Sequence, residues 1–387
     1  MKRPSTWTSR VAVVVWTILA LLMAITLLGC WDVLDIDQRT FILALGIDST
    51  PSEDLLVSTQ AVIARNLPFA GGGNSTGSSD SNSPVRVDTS VAPTLVAALR
   101  EQNFRNSRLF EIGHMSVVVV GEEAAKTHLE RVLDALFRTE KIDPSLWLVV
   151  SRGSAEAVIR ATPEVESIPA IFLSTLLSKA SNKLAPFPSV RLWEAQARIM
   201  DPARELFLPS IRLISPDQLQ MGETAVFRGG RLVGFLSPEQ TRILLWLTGE
   251  MDQGEFMIPG HEPKDGTIHI RVTSARGKFN VEYHSGKPRL TAYLDIRANI
   301  QEASRIRAHT SDDIKTIEEL SESLLERKLM EMLRALQELG SDIVGYERLV
   351  RRRTPDLWRT LDWDKEFSKA DLVTRVTVRI QGTGLTR

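Results

Sequence analysis

The chain has 387 residues, enough for two or three domains with sizeable hydrophobic cores. Hydrophobic residues make up 43% and charged residues 25%, and the net charge of −1 leaves no overall bias toward nucleic acid or a strongly acidic partner. A single cysteine, Cys30, excludes a disulfide framework and a multi-cysteine zinc site within one chain.

The N-terminus is basic, with Lys2, Arg3 and Arg10 and no acidic residue before Asp32. Val11 to Leu28 is apolar apart from Thr17 and Thr26. At the helical rise of ~1.5 Å per residue such a run nearly spans a hydrocarbon core. The basic flank stays in the cytoplasm, so the remainder is expected outside, lipid-anchored on the outer face of the cell membrane. The run ends Leu27-Leu28-Gly29-Cys30, a lipobox-like sequence in which small Gly29 admits a peptidase and the Cys30 thiol carries diacylglycerol. Residues 1–29 then read as a signal peptide. The competing reading is an uncleaved transmembrane anchor with an incidental cysteine. Trp31 either sits in the headgroup layer or belongs to a plain linker.

Phe41–Asp48 and Leu55–Ile63 read as strands joined by a turn at Ser49–Asp54. Pro68–Pro84 is rich in Gly, Ser and Asn and predicts a mobile loop, spanning about residues 66–90. Its triple glycine lacks the Gly-Lys-Ser/Thr of a phosphate loop. Thr94–Phe104 predicts a helix with Leu95, Val96, Leu99 and Phe104 on its apolar side. Ile112–Val120 predicts a central strand, Glu122–Phe137 a helix, Ser145–Val150 a strand and Ser154–Arg160 a short helix. This order implies a mixed α/β domain over residues 30–205, with further helices at Ile168–Ala180 and Val190–Met200.

In residues 206–387, Thr224–Phe227 and Leu232–Phe235 form a hairpin over Arg228-Gly229-Gly230-Arg231. Ser237, Pro238 and Gln240 supply the cap, first turn and capping box of a helix. Runs around Ile268–Thr273, Phe279–Tyr283 and Leu290–Ile300, with turns at Arg276-Gly277 and Ser285-Gly286, predict an antiparallel meander. Asp312–Leu339 is a long helix stopped by Gly340, and Val373–Ile380 a closing strand. The expected fold class is α+β: a mixed α/β N-terminal domain, then an antiparallel-sheet region with a long helix packed on it. A split near 260–266 would separate a small middle domain.

Catalytic patterns are missing. The six histidines, His114, His128, His261, His269, His284 and His309, make no His-Glu-x-x-His pair, and no Gly-x-Ser-x-Gly elbow occurs. His114, heading an apolar strand, reads as a hydrogen-bonded structural residue. Adjacent carboxylates such as Glu318/Glu319 diverge on a helix and make poor acid/base pairs. No catalytic residue, metal site or cofactor is expected, apart from covalent diacylglycerol and N-acyl lipid on Cys30. Two features remain. Arg351-Arg352-Arg353 either closes a short helix or attracts anionic headgroups or an acidic partner loop. Asp342, after Gly340, either caps the next helix or touches a partner.

Several segments resemble the Ger(x)C family, the lipoprotein C subunits of spore germinant receptors. They are Gly29–Asp32 with Phe41–Asp48, Gly113–Glu123, Phe227–Ser237, Ser341–Tyr346, and Trp363–Phe367 with Val376–Leu385. The resemblance implies a non-catalytic subunit in the inner membrane of the spore, beside an integral-membrane A subunit and a transporter-like B subunit. A solute-binding lipoprotein serving a transporter is the main alternative. A cell-wall hydrolase would need an acid/base or metal set that the sequence lacks.

Overall fold

A computed structural model describes residues 6–27, 38–63, 83–183, 185–259, 266–284, 286–303 and 310–382. The N-terminal helix α1 spans Thr6–Leu27, with side chains described for residues 12–23. Among the described residues no helix is long and apolar enough to cross a membrane. Leu28, Gly29, Cys30 and Trp31 lie outside the described residues, as do most of the glycine-rich loop, His261 and His309.

Strands β1 (Arg39–Ser49) and β2 (Leu55–Val62) pair antiparallel through the expected turn. Val85–Ala92 then forms β3 on the outer side of β2, so the loop ends earlier than residue 90. Helix α2 (Leu95–Phe104) follows, capped by the Thr94 hydroxyl. Its buried face is Leu95, Ala98 and Gln102, whereas Val96 and Phe104 are exposed. Gln102 decides this rotation: it accepts from Thr59 Oγ1 at 2.6 Å and donates to Val57 O and Ser90 Oγ. The buried polar network, not the apolar count, sets which side faces in.

Strands β4 (Leu109–Glu111) and β5 (Val117–Gly121) run parallel to β1. His114 lies between them, exposed and edge-on to Phe41 at 5.2 Å, so it does not head the strand. The helix expected over Glu122–Phe137 is broken at His128 into α3 (Glu122–Thr127) and α4 (Leu129–Arg138). The break sends α3 onto β1 and β5 and lets α4 reach α2. Strand β6 (Trp147–Ser151) is parallel to β5. After it come α5 (Ala155–Ile159), α6 (Pro169–Ser181) and α7 (Leu192–Met200). Alternate residues of β5 enter opposite cores, Val118 and Val120 with α4, Val117 and Val119 with α5 and α6. The continuous apolar run is thus covered on both faces. Asp48, at the end of β1, accepts the Ala155 and Glu156 N–H groups at 2.7 and 2.9 Å and anchors α5 to the sheet.

The sheet continues past the boundary read at residue 205. Strands β7 (Phe207–Ser215), β8 (Gln218–Arg228) and β9 (Arg231–Leu236) extend it, in the order β3-β2-β1-β5-β6-β7-β8-β9. Leu208, Ala225 and Phe227 face the first core, while Phe207, Val226 and Leu236 face the C-terminal core. One end of the first sheet is therefore a wall shared by both halves. The hairpin turn holds Gly229 and Gly230 at φ of +53° and +74°, the left-handed pair that a two-residue turn between twisted strands needs. Ser237 and Gln240 form the expected reciprocal cap of α8 (Pro238–Thr248).

The second sheet has the order β10-β11-β12-β13. Strands β10 (Gly254–Pro259) and β11 (Thr267–His284) pair antiparallel across residues 260–266, so one sheet spans the suggested split. The expected meander is corrected: β11 runs unbroken through Arg276 and Gly277 and pairs with β12 (Lys287–Ala303) as one long hairpin. Helix α9 (Ser311–Leu339) packs across this sheet and ends at Gly340 in the left-handed conformation. Short helices α10 (Tyr346–Arg353), α11 (Pro355–Trp358) and α12 (Trp363–Lys369) lead to β13 (Asp371–Gly382). β13 joins β12 in parallel, so the C-terminal sheet is mixed and not purely antiparallel. The α+β class holds, with the long helix on the second sheet.

Candidate functional site: a basic cleft between the cores

Where the two halves meet, the end of α7, the start of β7, the middle of β11 and helix α10 enclose a cleft of about 860 Å³. Asp342 fixes one wall. Ser341 ties the end of α9 to the first sheet by donating to Phe227 O at 2.5 Å. Asp342 then turns inward and is buried. Its Oδ1 accepts the Gly345 and Tyr346 N–H groups at 2.9 and 3.1 Å. Its Oδ2 accepts Glu347 N–H at 2.7 Å and the Trp363 indole N–H at 3.1 Å. This caps α10 and pins α12 against it. Burial pushes the carboxyl up to about 7, against the pull of the backbone donors. The capping alternative therefore describes Asp342, and its filled acceptors leave nothing to offer a partner.

The opposite wall is also ionic. Arg198 of α7 lies over the Phe207 ring at 4.0 Å and pairs with Glu250 at 3.5 Å. Burial lowers the Arg198 pKa and raises that of Glu250, and the charge of each partner opposes the shift of the other. The same pair also lines a smaller cavity of about 410 Å³. Glu205 receives the Gly229 N–H at 3.1 Å, and burial raises its carboxyl to about 7.

The arginine run closes α10, as its position before Pro355 suggested. Its members differ. Arg351 pairs with Asp201 and lies over Trp358 at 5.6 Å, and Arg353 donates to Asn280. Arg352 is exposed and makes no side-chain hydrogen bond or ion pair among the described residues. All three line the cleft. The sequence reading missed Arg198, Arg204, Lys278 and Arg348, which the fold brings to the same place. Among the described residues no group of three His, Cys, Asp or Glu side chains is placed to hold a metal ion.

Comparison with known proteins accounts for both halves. Residues 32–213 match the family described as spore germination protein N-terminal domain, and residues 222–384 match the spore germination B3/GerAC-like C-terminal family. The chain is 22% identical to spore germination protein GerQC of Bacillus cereus over 372 residues, 95% of this chain and 99% of that protein. It is 23% identical to spore germination protein KC of Bacillus subtilis strain 168 over 395 residues, 95% of each. The crystal structure of the GerBC protein shares the fold, with a TM-score of 0.54 at 18% identity, covering 87% of this chain and 96% of that one. Two domain families matched in order, relatives aligned over nearly their full lengths and a shared fold lead to one assignment: the chain belongs to the Ger(x)C family of spore germination proteins.

Proposed function

We propose that this chain is a non-catalytic lipoprotein subunit of a spore germinant receptor, needed for nutrient-triggered germination. In this reading Cys30 carries diacylglycerol and an N-acyl chain and holds the body on the outer face of the inner spore membrane. The partners are the integral-membrane A and B subunits. The observation that carries the proposal is coverage: spore germination proteins align with 95% of the chain, through both domain families in order. The two chains of the diacylglycerol alone, at ~0.8 kcal/mol per buried CH₂, would make the anchoring stable, and the N-acyl chain adds to them. The solute-binding alternative gains little, because the two sheets differ in strand order and do not form a pair of similar lobes.

The test is deletion in the organism that makes the chain. Mutant spores should ignore a nutrient germinant while solute uptake and wall lysis stay normal. Loss of uptake with germination intact would refute the proposal. A Cys30→Ala chain should lose labelling by a radioactive fatty acid and leave the membrane fraction; continued labelling would dispose of the anchor assignment.

A further inference from the structure

The cations of the interdomain cleft are not matched by its carboxylates. Cationic side chains outnumber carboxylates seven to three in its lining. The three carboxylates are already engaged: Glu250 by Arg198, Asp342 by four N–H donors, and Glu205 by Gly229 N–H. Arg204, Lys278, Arg348 and Arg352 make no side-chain hydrogen bond or ion pair among the described residues. They come from three separate segments: the stretch before β7, strand β11 and helix α10. Arg348 and Arg352 stand four apart on α10 and so share a face. Arg204 is half-buried, where water screens a charge less well than at the open surface.

Unneutralised cations gathered in a concavity repel one another, and a bound anion relieves that repulsion. A volume of about 860 Å³ at the joint between two cores falls within the roughly 300–1,000 Å³ typical of small-ligand sites. Arginine presents a planar fork that suits carboxylate and phosphate oxygens alike. We propose that this cleft binds a small multivalent anion, bearing carboxylate or phosphate groups, held by Arg204, Lys278, Arg348 and Arg352. This goes beyond membership of a receptor, because it makes the subunit itself a ligand-binding protein. An anion reaching both Arg204 and α10 also bridges the N-terminal and C-terminal halves.

The experiment is calorimetric titration of the full chain, solubilised in a non-ionic detergent, with inorganic pyrophosphate and separately with citrate. The Arg204→Gln/Arg348→Gln double variant tests the cleft, and neither residue makes a side-chain hydrogen bond or ion pair among the described residues, so its fold should persist. Arg334→Gln/Arg379→Gln removes the same charge from exposed positions outside the cleft. Vesicles of phosphatidylglycerol form a third arm. Saturable binding of at least one free anion is expected, weakened about tenfold or more in the cleft variant, since two charge-assisted contacts are lost. The control should stay within about twofold of the parent. Failure of both free anions to bind overturns the proposal, as does equal weakening by the two double variants. Binding confined to vesicles overturns it in favour of a membrane-facing patch.

Discussion

Glu322 Oε1 accepts the backbone N–H of Val378 at 2.9 Å, and this is one rung of a ladder. Glu318 accepts from Ile380 at 2.7 Å and Glu326 from Val376 at 3.0 Å. Four residues along a helix advance ~6.0 Å and two along a strand lying beside it ~6.6 Å, so a glutamate at every fourth residue meets every second N–H. The carboxylates of α9 thereby satisfy the free edge of β13, an edge that would otherwise template pairing with another chain. Glu322→Ala should cost about 1–3 kcal/mol, the range for stranding a partly buried donor. Glu322→Gln, which keeps an oxygen acceptor, should cost less. The triple alanine variant should also self-associate. Urea unfolding and light scattering measure both effects, and a triple variant that stays monodisperse with unchanged stability would remove the edge-protecting role.

Asp342 joins α9, α10 and α12 through four accepted hydrogen bonds. Asp342→Ala leaves three backbone donors and the Trp363 indole unpaired, and a loss of at least about 3 kcal/mol is expected. Trp363→Phe removes one donor together with part of a buried ring and should cost about 1–3 kcal/mol. The two losses should not add, because the residues share a bond. Equilibrium unfolding of the single and double variants gives the coupling; strict additivity would mean that the bond contributes nothing.

The local signals in the sequence were accurate where the chemistry is local. Ser237 and Gln240, the double glycine at 229–230 and Gly340 each act within a few residues, and each does what its type requires. Glu318 read only as half of a poor acid/base pair on a helix, and Glu322 and Glu326 drew no reading, because the N–H donors they accept from lie fifty or more residues onward in β13. The cleft was partly visible. Arg351–Arg353 stood out as a run, with Arg348 one helical turn before it, yet Arg204 and Lys278 are isolated in sequence and join them only through tertiary packing. Apolar counting also failed on α2, where buried Gln102 outweighed exposed Val96 and Phe104.

Burial raises the carboxyls of both Glu205 and Asp342 to about 7, above their ordinary values near 4. The folded chain then binds more protons than the unfolded chain between about pH 4 and pH 7. Stability should accordingly be greatest at the acid end of this window and fall as pH rises through it. At ~1.36 kcal/mol per unit, Glu205 accounts for no more than about 3 kcal/mol of that fall. Glu205→Gln should leave only the Asp342 share of that slope in the urea midpoints between about pH 4 and pH 7. A variant whose profile parallels the parent would show that Glu205 ionises freely in the fold.

Gly277 supplies the last test, since a glycine after Arg276 read as a turn and the structure gives it another task. A Cβ at residue 277 would stand 2.0 Å from Leu247 O and 2.4 Å from Leu247 C. Those are backbone atoms at the end of α8, held by the fully buried Trp246, so they cannot swing aside as a side-chain tip would. β11 passes α8 at a separation that only hydrogen at Cα permits. Gly277→Ala should lose about 2–4 kcal/mol or fail to fold, in the manner of an overpacked core. Gly286→Ala is the comparison: φ is +80° there with open space around the added carbon, and a cost near 1 kcal/mol is expected. Urea midpoints of the two variants decide the matter. If Gly277→Ala proves no worse than Gly286→Ala, the close crossing of strand and helix does not exist, and the break in β11 suggested by the sequence should be reinstated.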